Sequence, residues 1–398
     1  MNTVYKLVWS ASRRAWVVAS ELSKSGKKSS RKLLVSSVIG SAAFIFAAPS
    51  MATLSGTQTR TLNNEELILN QPSDLNTKTP GANGLDAWII RGATGSDQTK
   101  NKAIIREGIS VQGGNSSSGL GGRGIAISDS TLINNGSVLG GGSEYFSGGV
   151  AITGNHATII NNDNGFISGG NGFPSGTGIC GRYLNIINSG FIWGGYSRQG
   201  GGFTVSGDHL NITNSGYGII AGAEGGNSAI YAMNSDITNS GSGIIEGSDG
   251  ESSGGYGIKG FNLNITNSGN AKIYGGYGYY HGGSGIHGRD MTITSSADIH
   301  GGNSKYQGGD AINGDNLTIT SSGSIYGGKA YSNNNSFGGI GIYGNNLSIR
   351  NSGQIRGGRG LASEARAFMP ATRILIILVL SRGGSDMLRA AMGFKAIT

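Results

Sequence analysis

The residues able to do chemistry are few and scattered. Glycine-rich stretches at Gly254-Gly-Tyr-Gly-Ile-Lys259 and Gly282-Gly-Ser-Gly-Ile-His287 invite comparison with the calcium-binding nonapeptide, which needs Asp at its sixth position. Lys and His stand there instead, so turn glycine is the better explanation. No glycine-rich loop leads into Lys-Ser/Thr at the spacing that cradles a nucleotide phosphate. His156, His209, His281, His287 and His300 form no paired metal motif, although His287 and His300 are separated by about half a repeat and could approach one another. Asp208, Glu224, Asp236, Glu246, Asp290, Asp298, Asp310 and Asp315 are dispersed, and glycosidic cleavage needs two carboxyls at a defined separation. The many serines lie in no nucleophile-elbow pattern. Catalysis, metal binding and cofactor binding are therefore not expected.

What does gather is tyrosine. Tyr196, Tyr277, Tyr279, Tyr280, Tyr306 and Tyr331 lie in glycine-, serine- and asparagine-rich segments of variable length. These are the residue types of adaptable contact surfaces. They are the candidate binding loops, with a host surface, a glycan or a second copy as partner.

The elements that carry these loops repeat. Ile258-Lys-Gly-Phe-Asn-Leu-Asn-Ile-Thr-Asn-Ser-Gly269 recurs in varied form, and Ile212, Ile237, Ile265, Ile293, Ile319 and Ile349 occupy one position at spacings of 25, 28, 28, 26 and 30 residues. Such a period means stacked units rather than one globular core. Within a unit, pairs such as Leu263/Ile265 and Leu317/Ile319 alternate with period two, a strand signature. A second short strand precedes each Gly-Gly (Ile273, Ile299, Ile325), and a third opens each unit (Ile258, Ile286, Ile312). Three short strands per turn predict an all-β, right-handed parallel β-helix of about ten coils over residues 104–360. At about 4.8 Å per coil it is a rod of roughly 50 Å. Asn-Ser-Gly at 188–190, 214–216, 239–241, 267–269 and 351–353 marks a corner, where asparagines of successive coils can bond into a ladder. Length variation falls after Gly-Gly, which confines the loops to one side.

Composition agrees. Of 398 residues 75 are glycine, against a usual share of about 7%. Five prolines and no period of three exclude collagen. The net charge of +8 belongs to the ends: residues 1–52 carry +7 and residues 361–398 carry +3, leaving −2 on the repeats, so no nucleic-acid footprint is expected. Cys180 stands alone, which rules out an internal disulfide, and its place beside Ile179 suggests a small buried apolar residue.

Residues 1–52 are a targeting segment expected to be helical. Lys27, Lys28, Arg31 and Lys32 precede the apolar run 33–48, and Ser50-Met-Ala52 is a small-x-small cleavage signal, with the cut expected between Ala52 and Thr53. The unusual length ahead of it, with Asn2, Tyr5, Lys6, Trp9, Ser10, Trp16, Val17, Ser20, Glu21 and Leu22, resembles the extended signal peptide region of type V secretion proteins. That resemblance implies recognition by the inner-membrane secretion machinery and an autotransporter passenger of adhesin type. It also implies a C-terminal β-barrel translocator at the outer membrane, for which this sequence leaves no room.

Residues 53–103 read as a lead-in cap. After Gly360 the repeat pattern stops, and residues 361–398 read as an aberrant tail in which Ala367 to Leu380 back-translate, one nucleotide out of frame, to another repeat. The expected function is attachment by a secreted passenger, non-catalytic, with the periplasm as the destination of the chain as written. A polysaccharide-acting β-helix enzyme and an inactive truncated product are the alternatives. Clustered carboxylates on one face would favour the enzyme.

Overall fold

The computed structural model describes residues 5–10, 15–20, 56–70, 72, 76–77, 83–197, 200–225, 227–332, 336–360, 368–370 and 374–378. It divides into two units, residues 1–50 and residues 51–398. In the first, Tyr5–Ser10 and Ala15–Ser20 pair as antiparallel strands with Trp9 opposite Trp16. The described part of the signal segment is thus extended rather than helical, as suits a stretch rich in valine and tryptophan. The Ala52/Thr53 junction lies outside the described residues.

The second unit is a parallel β-solenoid. Its alternating aliphatics all point inward. Ile258, Leu263 and Ile265 are fully buried, as are their equivalents Ile286, Met291 and Ile293 one coil on. Isoleucine stacks on isoleucine along the axis, for example Ile230, Ile258, Ile286 and Ile312. Short strands such as Lys272–Tyr274 and Asp298–His300 build a second, ten-stranded sheet, one strand per coil, with Ile273 and Ile299 inward.

The three expected strands per coil become two in most coils. The opening strand and the Leu-x-Ile strand run together as one ten-residue element, as in Ile258–Asn267 and Ile286–Ser295. A single residue at the corner takes a left-handed backbone, and pairing resumes in register on both sides: Phe261 opposite Arg289, then Leu263 opposite Met291. The corner residues include Asp129, His156, Tyr183, His209, Asn234, Asn262, Asp290, Asn316 and Asn346, all with φ between 48° and 56°. Asparagine and aspartate tolerate that conformation best. His156, Tyr183 and His209 occupy it with their rings stacked on one another at 4.6 and 4.8 Å.

The asparagines of Asn-Ser-Gly do something different. They point inward and form the expected ladder. Asn134, Asn161, Asn188, Asn214, Asn239 and Asn267 each donate from Nδ2 to the next coil, at 2.8, 2.8, 2.7, 2.8, 3.0 and finally 3.4 Å to Ser295.

The coil stack already includes Gln58–Leu62 and Glu66–Leu69, which pair with Trp88–Gly92 and Lys102–Ile105. At the other end Phe368–Pro370 and Ile374–Leu378 pair with Ile342–Gly344 and Leu347–Asn351. Cys180 stands in an outward column between Thr153 and Ser206 and is half-buried, not in the core: alternation turns it away from Ile179.

Candidate functional site

The loops after the short strands are not independent of one another. Residues 250–253, 278–281, 304–307, 330 and 337 bridge from coil to coil in two columns, Gly250–Gly278–Ser304–Ala330 and Ser253–His281–Gln307–Phe337. Backbone bonds from Gln307 N to Tyr280 O (2.9 Å) and from Phe337 N to Tyr306 O (2.8 Å) hold each loop against the previous one. The result is an ordered fin beside the solenoid.

Its neck is built from the Gly-Gly pairs. Gly283 N donates to Gly276 O at 3.0 Å, and Gly302 N to Gly283 O at 2.7 Å in the next coil. None of these glycines has a left-handed backbone. They are glycine because the strands approach too closely for a side chain: a Cβ on Gly283 would come 1.9 Å from Gly255 O. The turn-glycine expectation is therefore corrected at these positions to close backbone approach.

Three of the six candidate tyrosines meet on this fin. Tyr280 stacks on Tyr306 at 5.7 Å, and Tyr279 lies edge-on to both at 4.9 and 5.8 Å. Lys305 ties them together. Its Nζ donates to the Tyr279 hydroxyl at 2.7 Å and lies over the rings of Tyr279 (4.7 Å) and Tyr306 (5.3 Å). That ammonium, hydrogen-bonded to the phenol, lowers the pKa of Tyr279, and the phenol in turn raises that of Lys305. Tyr280 is 50% exposed, so the cluster opens to solvent. Tyr277 and Tyr331 are exposed on the same fin, and burial followed by the proximity of Tyr277 raises the pKa of Tyr331. Tyr196 lies several coils away, where its backbone N bonds Asn171 Oδ1, and it does not join the cluster.

The histidines do not converge. His287 stacks on Tyr256 at 4.6 Å, and His300 stands between Tyr274 and Tyr326 at 5.2 Å from each. Among the described residues no group of three His, Cys, Asp or Glu could hold a metal.

One carboxylate pair is hidden from the sequence because Asp249 lies in a loop. Glu246 ends the short strand Ile244–Glu246, and burial, with the charge of Asp249 second, pushes its carboxyl up to about 7. Burial raises Asp249 too, against the opposing hydrogen bond from Tyr277 N at 2.8 Å. Asp249 is exposed, whereas Glu246 is half-buried.

The family model of the extended signal peptide of the type V secretion system matches residues 1–49. A search of curated proteins found no significant match. Solved structures that the chain resembles include a GH136 lacto-N-biosidase from Eubacterium ramulus (10% identity, TM-score 0.36) and PfbA, a surface adhesin of Streptococcus pneumoniae (9%, 0.37). An endo-xylogalacturonan hydrolase from Aspergillus tubingensis is a third (10%, 0.32). The alignments cover 82%, 82% and 83% of this chain and 63%, 81% and 89% of those chains, so the chain spans less than two thirds of the lacto-N-biosidase. Residues 1–49 thus mark an exported protein of type V secretion, and the parallel β-solenoid that follows in sequence fits an autotransporter passenger.

Proposed function

We propose that this passenger attaches to a carbohydrate-bearing surface through the fin and performs no chemistry there. The supporting observation is the convergence of Tyr279, Tyr280 and Tyr306 from two successive coils around Lys305. Large rigid rings offer contact area at low entropic cost, and hydroxyls and an ammonium at their edges donate and accept hydrogen bonds. Sugars present the matching surfaces, apolar C–H faces edged by hydroxyls. The test compares the full chain with a Tyr279→Ala/Tyr280→Ala/Tyr306→Ala variant on a glycan array and on host cells. Loss of binding at unchanged melting temperature supports the reading; undiminished binding by the folded variant sinks it.

A second reading rests on Glu246 and Asp249. A carboxyl that burial keeps protonated near neutrality, raised further by a second carboxyl, is the kind of group that acts as the acid in glycosidic cleavage. Release of reducing ends from polysaccharide by the wild type, abolished in Glu246→Gln, would favour it over attachment.

A further inference from the structure

The outward face of the opening strands carries a groove apart from the fin cluster. Its floor is the backbone of Gly260, Gly288, Gly314 and Gly344, stacked so closely that a Cβ on Gly288 would come 1.8 Å from Gly260 O. Two rows of side chains wall it. One contains Tyr231, Lys259, His287 and Tyr343, the other Phe261 and Arg289. The groove is open to solvent, has a volume of about 480 Å³ and runs along the solenoid axis across successive coils.

The charges in this groove are unequally satisfied. Asp315, which lines the groove in register with Arg289, and Asp310 beside it are both occupied by amides. Asp315 Oδ1 accepts from Asn345 N and Nδ2, each at 2.8 Å, while Asp310 accepts from Ile340 N (2.8 Å) and Asn313 Nδ2 (2.7 Å). The cations are not so held. Arg289 is 70% exposed at its side chain, reaches Asp290 Oδ2 only at 4.0 Å and lies over the Phe261 ring at 5.7 Å. Lys259 makes no ion pair among the described residues, and its Nζ lies over the Tyr256 ring at 5.2 Å. His287 Nδ1 is buried without a hydrogen-bond partner. Two exposed cations, each beside an aromatic face, thus stand on a repeat region whose net charge is −2.

We infer that this groove binds a linear acidic polysaccharide lengthwise, its carboxylates at Lys259 and Arg289 and its sugar faces on Phe261, Tyr231 and Tyr343. Guanidinium matches carboxylate in a bidentate fork, and lysine adds a point charge one coil away. The axial repeat of the coils, about 4.8 Å, is close to the advance of one sugar residue, so successive residues meet successive coils. Neutral glycans lack the anionic contacts, and protein ligands lack the repeat. Groove and fin use different residues, so binding in the groove does not depend on whether the fin binds sugar.

The test is calorimetric titration of the exported full chain with alginate oligomers, a polyuronate, and with neutral dextran oligomers at low and high salt. Alginate binding that weakens with salt is expected, with dextran silent. Lys259→Gln/Arg289→Gln should weaken it at least tenfold, Phe261→Ala severalfold, and Lys102→Gln, a cation several coils away from both groove and fin, not at all. Equal affinity for dextran, no alginate binding by the folded chain, or full affinity in Lys259→Gln/Arg289→Gln would overturn it. The Lys and Arg side chains are outward-facing, so melting temperature should not move, which separates loss of site from loss of fold.

Discussion

Asn188 donates from Nδ2 to Oδ1 of Asn214 at 2.7 Å, and both side chains are fully buried. Asn188 also accepts from Asn161 at 2.8 Å and donates to Gly190 O at 3.1 Å. Replacing it with Ala breaks the ladder in mid-stack and leaves Asn214 Oδ1 short of its donor where water cannot reach, while Asn161 Nδ2 keeps Gly165 O and Phe191 O. An unsatisfied buried amide atom costs about 1–3 kcal/mol. Asn188→Ala should therefore lose about 3 kcal/mol in urea unfolding. Asn264→Ala, at an exposed position, should lose less than about 0.5 kcal/mol. Equal losses would mean that the ladder contributes nothing beyond its backbone.

The ladder has a natural gap. Ser295 and Ser321 take the asparagine position in two successive coils before Asn351 restores it. Ser295 Oγ turns to Ala297 O at 2.9 Å, and Ser321 Oγ is buried with no partner. Ser321→Asn brings an inward amide within reach of Asn351, so a gain of about 1 kcal/mol is expected. A destabilised Ser321→Asn would show that the serine coils have closed the corner too tightly.

Serine and asparagine at this inward position bear on what the sequence makes legible. Alternation at Leu263/Ile265 and recurrence at Asn188, Asn214 and Asn239 are visible because burial permits few residue types, so the core writes the same letters in every coil. The left-handed corner is invisible because it is exposed and constrains only the backbone. Asp129, Tyr183, His209 and Asn262 all fill it, and no single letter marks it. The neck glycines are visible but easily misread, since close approach and a left-handed turn both select glycine. The cluster of Tyr279, Tyr280 and Tyr306 depends on how consecutive loops pair, and loop composition does not encode that.

The neck makes a sharper demand on sequence than a turn would. A Cβ on Gly302 would lie 2.0 Å from Gly276 O, which is fixed backbone in the coil before. Gly302→Ala must separate two coils or break the Gly302–Gly283 bond, and a loss of about 3 kcal/mol or more follows from overpacking. Gly95 has a left-handed φ of 80° but open space around it. Gly95→Ala should cost only the conformational penalty, about 1 kcal/mol. If the two substitutions proved equal in chemical denaturation, close approach would not be the reason for glycine at the neck.

Glu246 should give the fold a pH dependence opposite to that of a salt-bridged acid. Its ordinary pKa is 4.5, and in the folded chain it is raised to about 7. Below pH 4.5 both folded and unfolded chains hold the proton, and the group has no effect. As pH rises, the unfolded chain releases the proton first, so the folded state loses stability until Glu246 itself ionises near pH 7. A tenfold change in proton affinity is worth about 1.4 kcal/mol, and for a half-buried side chain a total near 2 kcal/mol is reasonable. Glu246→Gln should therefore leave stability at pH 4 unchanged and raise it by about 2 kcal/mol at pH 8. The raised carboxyl of Asp249 acts in the same direction and leaves a smaller residual slope in the variant. Urea midpoints across pH 4–8 decide the matter: parallel profiles for wild type and variant would show that the folded chain leaves Glu246 at its ordinary pKa.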